Sequence, residues 1–279
     1  MKSALLIGIS NYPGMDPMPG CTNDTADIEA VLRGFGFTSI TRLPDDPRNW
    51  QQVTGLSIKS SLRAAIASLS CGDELVFHFS GHGVKYPLHG VDHEGLCGID
   101  FAWTDADSVL IDDDLSNALT GLADGARMTI VADACHSGGL QPDYSRLLSI
   151  AAAPSFRVRT YPVPDYIAAE IARLDSLQQT RTFADAVMTG NGVPTTRDAV
   201  LLSACAPEEL AADTDFADGR PNGVLSYTLV QRLAAPGTNC EPAVTTRAGL
   251  QTAIEELGFG QTPQLHGRPW LFGEPLIPD

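Results

Sequence analysis

Met128-Thr129-Ile130-Val131-Ala132-Asp133-Ala134-Cys135-His136-Ser137-Gly138-Gly139 orders the rest of the chain. An apolar, strand-forming run leads into an acid, a cysteine and a glycine pair. That pattern predicts a buried strand ending in a tight loop with one thiol at its carboxyl end. A second stretch has the same shape: Glu74-Leu75-Val76-Phe77-His78-Phe79, then Ser80-Gly81-His82-Gly83. Laid parallel in one sheet, the two strands put His82 and Cys135 on the same edge. In open α/β sheets that edge is where ligands and chemistry sit.

Working outward, Ser3 to Ile9 and Ser39 to Leu43 predict strands, with a helix opening at Asn23-Asp24 between them. Ile58, Leu62, Ala65, Ile66 and Leu69 share one face of a further helix. Two βα units of this kind predict a parallel sheet with right-handed crossovers. Val84 to Asp107 is expected to be loop, with a short strand at Leu96 to Phe101. Asp112-Asp113-Asp114 opens a short helix to Leu122, where acids suit the positive amino end. A long irregular stretch, about 141–198, is interrupted by Pro142, Pro154, Pro162, Pro164 and Pro194 and has a helix-like middle, Ile167 to Leu177. A strand at Ala199 to Cys205, helices at Gly223 to Leu233 and Arg247 to Leu257, and a short strand at Thr262 to Leu265 follow. Without internal repeats, residues 1–279 are read as one domain carrying that insertion.

The 279 residues are 43% hydrophobic with a net charge of −16. An acidic surface disfavours nucleic acid, whose phosphates need a basic face, and suits cationic partners or divalent metals. It also simply keeps proteins soluble. No run approaches the ~18 apolar residues of a membrane span, and the amino terminus lacks a signal-peptide pattern. A cytoplasmic, monomeric protein is expected. The six cysteines form no CxxC pair, which argues against zinc and thioredoxin-type chemistry.

Cys135 stands apart through its neighbours. A nucleophilic thiol needs a nearby base, and the glycines around His82 let backbone approach a ligand closely. His136 adjoins the thiol, but adjacent side chains diverge in an extended loop, so it is read as a supporting residue. A buried structural cysteine beside an unrelated loop histidine is the bland alternative. Two glycine-flanked motifs at two strand ends argue against it.

Phe-His-Phe-Ser-Gly-His-Gly and Asp-Ala-Cys-His-Ser-Gly-Gly resemble the two catalytic motifs of the caspase-like peptidases, and the 53 positions from His82 to Cys135 are close to the ~50 of caspases. The Asp-x-Cys-His-Ser-Gly variant resembles metacaspases and their bacterial relatives. Pro19-Gly20-Cys21-Thr22-Asn23-Asp24, Leu201-Leu202-Ser203-Ala204-Cys205 and Gln261-Thr262-Pro263-Gln264-Leu265 extend the likeness from about Ala4 to Leu265.

The resemblance implies a three-layer α/β/α sandwich around a mainly parallel sheet, in a catalytic domain without an appended prodomain. It implies a cysteine endopeptidase with Cys135 as nucleophile and His82 as acid–base partner. The backbone N–H groups of Gly83 and Cys135 would form the oxyanion hole. Asp24, Ser80 and Asp133 map onto the S1 pocket, where acids would hold Arg or Lys at P1, the residue whose carbonyl is cleaved. Caspases hold Asp with arginines, and no Arg occurs between Ala4 and Asp24. Calcium is the implied cofactor, weakly bound, with Asp112, Asp113, Asp143 and Glu94 as ligands of the hard-oxygen type that suits it. Asp143 stands one residue further from the cysteine than usual, and His93-Glu94 replaces the family's Asp-Glu. The insertion carries Arg146, Arg157, Arg159, Arg173 and Arg181, so such an enzyme could nick itself. A catalytically silent scaffold and a Cys hydrolase of a non-peptide substrate are the alternatives.

Overall fold

The run Lys2–Gly8 (β1) divides its side chains between two cores, Ala4 and Leu6 into one and Leu5 and Ile7 into the other. A strand whose alternate residues are apolar on both sides must be covered on both faces. The computed structural model, which describes residues 1–135, 156–189, 197–207, 209–238 and 240–278, covers them with helices. After β1 come α1 (Gly20–Gly34), β2 (Ser39–Leu43), α2 (Gly55–Ala67) and β3 (Glu74–Ser80). Then follow β4 (Gly83–Leu88), β5 (Val91–Cys97), β6 (Val109–Ile111), α3 (Asp112–Leu119) and β7 (Arg127–Asp133). The insertion contributes β8 (Arg157–Val158), α4 (Asp165–Ser176), β9 (Thr180–Arg181) and α5 (Phe183–Met188). β10 (Asp198–Ser203), β11 (Ala212–Asp215), β12 (Pro221–Gly223), α6 (Val224–Ala234), α7 (Ala243–Glu256) and β13 (Gln264–Gly267) complete the order.

The main sheet runs β13-β10-β7-β3-β1-β2, parallel throughout except for the β10–β13 edge pair. Ile28 and Leu32 of α1, Leu225 and Leu229 of α6 and Leu250 of α7 pack with one face of the sheet. Ile58 and Leu62 of α2, Leu115 of α3 and Phe183 of α5 pack with the other. This is the expected three-layer sandwich. Register fixes what matters for chemistry: Gly8 pairs with Ser80, and Ser80 pairs with Asp133. The carboxyl ends of β1, β3 and β7 therefore share one edge, and the residues after β3 and β7 reach it together.

Several expectations change. Val84 to Asp107 is not mainly loop: β4 and β5 form an antiparallel hairpin, and β6 pairs with β5. His89 and Gly90, both at positive φ, make its turn. The strands were hidden because successive positions of β5 carry Asp92, His93 and Glu94, buried on both faces, so no apolar alternation shows. α1 begins at Gly20, after Pro19, and not at Asn23-Asp24. Asp24 is thus inside the helix and is no cap. The expected irregular stretch contains four short elements in its described part, and β8 and β9 are two-residue strands that no periodicity can reveal. Asp143, His136 and Arg146 lie outside the described residues. Among those described, no helix is long and apolar enough to cross a membrane.

Candidate active site

Cys135 lies two residues beyond the end of β7, wholly buried. Its thiol is held by one residue of the loop before β11. The Ala211 N–H donates to Sγ at 2.9 Å, and Sγ lies 3.4 Å from the Ala211 carbonyl. Cys205, at the end of the adjacent strand, touches it: a hydrogen bond with the Cys135 thiol, together with burial, holds the Cys205 thiol well above its ordinary value.

His82 follows β3 and Gly81. Its backbone N–H donates to Tyr12 Oη at 3.1 Å, and its ring sits 4.5 Å from the Tyr12 ring and 5.9 Å from that of Tyr161. Burial pushes its pKa down to about 3; the Arg159 guanidinium lowers it further and a contact with the Arg159 backbone partly offsets this. The imidazole is therefore neutral at pH 7. Neither ring nitrogen has a hydrogen-bond partner among the described residues. The thiol turned to Ala211 and the unpartnered imidazole are thus brought to one edge without a bond between them.

What lies between the two motifs is the chain's own segment 156–161. β8 pairs antiparallel with β11, Arg157 opposite Asp213 and Val158 opposite Ala212. The Arg159 N–H donates to the Ala211 carbonyl at 3.1 Å, continuing the ladder. The Arg159 carbonyl oxygen then accepts from two backbone N–H groups, Gly83 at 3.0 Å and Cys135 at 3.2 Å. Those are the two donors expected to form the oxyanion hole, and their convergence on one oxygen is the geometry such a hole requires. A side chain at Gly83 would overlap the Cys135 carbonyl, so the close approach of the two loops needs glycine there. Past Arg159, the Tyr161 N–H reaches back to the Gly83 carbonyl at 3.3 Å.

The Arg159 side chain is fully buried among the expected S1 residues. Nη2 lies 2.7 Å from Asp24 Oδ2, and Nη1 lies 2.7 Å from Ser80 Oγ and 3.2 Å from Asp133 Oδ1. A further acid that sequence reasoning missed, Asp213, sits 3.2 Å from Nη2. Neighbours hold the carboxylates in place. Asn222 Nδ2 and the Gly223 N–H donate to Asp24 at 2.9 and 3.0 Å, and the Ser226 N–H and hydroxyl donate to Asp133 Oδ2 at 2.9 and 2.7 Å. Burial pushes Asp133 up to about 6, Arg159 pulling it back and Asp24 adding to the rise. Asp213 is raised too, mainly by burial. Three acids face one guanidinium, so this pocket favours a cation strongly. Asp213 carries no local signal: Asp-Thr-Asp in a polar stretch looks like any solvated loop until β11 pairs with β8.

The expected metal ligands divide. Donor atoms of His93, Asp112 and Asp113 lie within 4.8 Å of one another. His93 Nδ1 bonds Asp112 Oδ1 at 2.8 Å, and Arg181 Nη1 pairs with Asp113 Oδ1 at 2.7 Å. Glu94 turns elsewhere: Oε2 accepts from the Phe183 N–H at 2.8 Å at the start of α5, and burial pushes this carboxyl up to about 8. Two carboxylates and an imidazole are short of the six to eight oxygens, roughly, that calcium takes. The described donors alone do not make a calcium shell.

Comparison with known proteins bears on all of this. The caspase domain family matches residues 1–269. Metacaspase-8 of Arabidopsis thaliana is 40% identical over 144 residues, which are 50% of this chain and 38% of that protein. Metacaspase-9 of the same plant is 27% identical over 310 residues, covering 95% of this chain and 93% of its own length. Metacaspase-1B of Aspergillus oryzae is 28% identical over 84% of this chain and 60% of its own. The chain thus spans under two fifths of the first of these relatives and nearly all of the second. The crystal structure of protein GSU0716 from Geobacter sulfurreducens shares the fold, with a TM-score of 0.65 at 20% identity over 98% of this chain and 96% of that one. The two glycine-flanked strand ends are therefore those of a known architecture, and this chain belongs to the caspase-domain family of cysteine peptidases.

Proposed function

We propose that this chain is an endopeptidase that cuts proteins after Arg or Lys, and that its own Arg159–Thr160 bond is laid out as such a substrate. One observation carries the proposal: Arg159 enters the acidic pocket while its carbonyl oxygen lies on the Gly83 and Cys135 N–H groups. A peptide held this way has its P1 carbonyl polarised by two donors and its side chain charge-paired.

Hydrolysis would proceed from this layout. The Cys135 thiol turns from Ala211 and gives up its proton to His82. Its sulfur attacks the P1 carbonyl carbon, and the oxygen takes up negative charge between the two N–H groups. The C–N bond breaks as His82 returns the proton to the leaving amine, and water then hydrolyses the thioester. A neutral imidazole is the form that can accept that first proton, but burial makes His82 a weak base while segment 156–161 covers it, so proton transfer is favoured as the ring regains contact with water. Neither a silent scaffold nor a hydrolase of non-peptide substrates calls for a groove that continues a β-ladder onto a peptide.

Calcium activation is a separate part of the proposal. Asp112 and Asp113 support it as an acid pair at the head of α3, and an ion there would have to replace Arg181 on Asp113.

Fluorogenic peptides with Arg, Lys or Asp at P1 test specificity. Arg and Lys should be cleaved at least about a hundredfold faster than Asp, since like charge in a dry pocket costs several kcal/mol. Cys135→Ala and His82→Ala should each abolish cleavage with unchanged circular dichroism. A profile led by Asp or by apolar residues contradicts the proposal, as does turnover by folded Cys135→Ala.

Arg159→Gln should open the groove while leaving three acids without their guanidinium. Peptide cleavage immediately after mixing should rise several-fold over wild type. Stability to urea should fall by about 3–5 kcal/mol, the usual effect of removing one partner from a buried ion pair. A slower initial rate would show that Arg159 does not block the groove. For calcium, initial rates in the ion and in chelator should differ at least about tenfold if binding shifts the enzyme by 1.4 kcal/mol or more. Equal rates remove calcium from the proposal.

A further inference from the structure

Strand geometry places P1 and P3 side chains on the same face, two residues apart. In the docked segment those residues are Arg159 and Arg157, with Val158 between them directed to the other side. A residue directly opposite P3 on the partner strand shares that face. Here it is Asp213. Its two carboxylate oxygens divide between the arginines: Oδ1 lies 3.0 Å from Arg157 Nη1, and Oδ2 lies 3.2 Å from Arg159 Nη2. Asp213 is buried, and Asp215, two residues along the same strand, stands 3.7 Å from Arg157 Nη1.

We infer that Asp213 is a specificity residue shared by two subsites, so that the enzyme reads Arg at P3 together with a basic P1, taking Arg-x-Arg sequences in preference to isolated arginines. The inference rests on the proposed reading of the groove as a substrate site, and adds P3 to it. Charge balance argues the same way. Asp24, Asp133 and Asp213 outnumber the single P1 cation, and a second guanidinium on the free oxygen of Asp213 relieves the excess. An acidic or neutral P3 side chain would leave that oxygen facing either repulsion or nothing. A lone arginine in an extended substrate fills S1 but forgoes this contact.

The test varies the peptide first. Peptides with P1 Arg, P2 Val and Arg, Gln or Glu at P3 are compared by kcat/KM with wild-type full chain. Arg should exceed Gln by about tenfold, the size of a half-buried charge-assisted contact, with Glu lowest. The same panel is then run with Asp213→Asn and Asp24→Asn. With Asp213→Asn the Arg-to-Gln ratio should fall to about twofold or less, while P1 Arg still exceeds P1 Asp through Asp24 and Asp133. With Asp24→Asn, P1 binding should weaken while the P3 ratio stays. A wild-type P3 ratio near one with the P1 preference intact overturns the inference and leaves the proposed function standing. No preference for Arg at either position overturns both. A P3 ratio that persists in Asp213→Asn also overturns it, because some other group is then the reader. Should that variant not fold, the wild-type ratio alone decides.

Discussion

A fully buried guanidinium held by three carboxylates is the contact on which the active-site architecture turns. Burying charge is costly, and a pair deep in a protein adds little stability over apolar packing of the same shape. What it adds here is position. Asp24 comes from α1, Ser80 from the end of β3, Asp133 from the end of β7 and Asp213 from β11. The two terminal nitrogens of the Arg159 fork meet all four at once. With Arg159 anchored, its carbonyl falls on the Gly83 and Cys135 N–H groups, and segment 156–161 lies along the groove.

The same contact explains the state of the catalytic groups. The chain that fills the groove covers His82 and leaves its imidazole without a hydrogen-bond partner among the described residues. It also leaves the thiol of Cys135 bonded to Ala211, on the strand that pairs with the docked segment. Under the proposed function, Cys135 and His82 set apart at one sheet edge suit a resting enzyme whose groove already holds a peptide. Around Arg159 the carboxylates of Asp24, Asp133 and Asp213 outnumber the cation, and the proposed preference for basic residues rests on that surplus.

The sheet and the two strand-end motifs were legible in the sequence because they rest on local rules. Short apolar runs such as Leu75 to Phe79 and Met128 to Ala132, bounded by turn residues, read as buried strands, and the glycines after them mark the loops where backbone comes close. Motif likeness singled out Asp24, Ser80 and Asp133, which the fold brings together around the Arg159 guanidinium, although Asp24 sits inside α1 and not at its start. The hairpin β4–β5 was not legible, since its buried positions are acids and a histidine that look solvated in sequence. Nor was Asp213, whose role appears only when β11 pairs with β8 across more than fifty residues of chain. Arg159 is one of six arginines in the insertion, and nothing local separates it from Arg157 or Arg173. Ladder register chooses it. The resemblance alone makes Glu94 a metal ligand, because the family's Asp-Glu pair falls on His93-Glu94, but the amino end of α5 lies against it and takes its carboxylate.

If Arg159 is the enzyme's own built-in P1 residue, the most direct measurement is the mass and amino-terminal sequence of fragments from the purified full chain, wild type beside Cys135→Ala, sampled over time. The wild type should yield a fragment beginning at Thr160, and the Cys135→Ala protein should stay whole under the same conditions. A wild-type chain that hydrolyses Arg peptides yet is never cut at Arg159–Thr160, or is cut first at another arginine of the insertion, would contradict it.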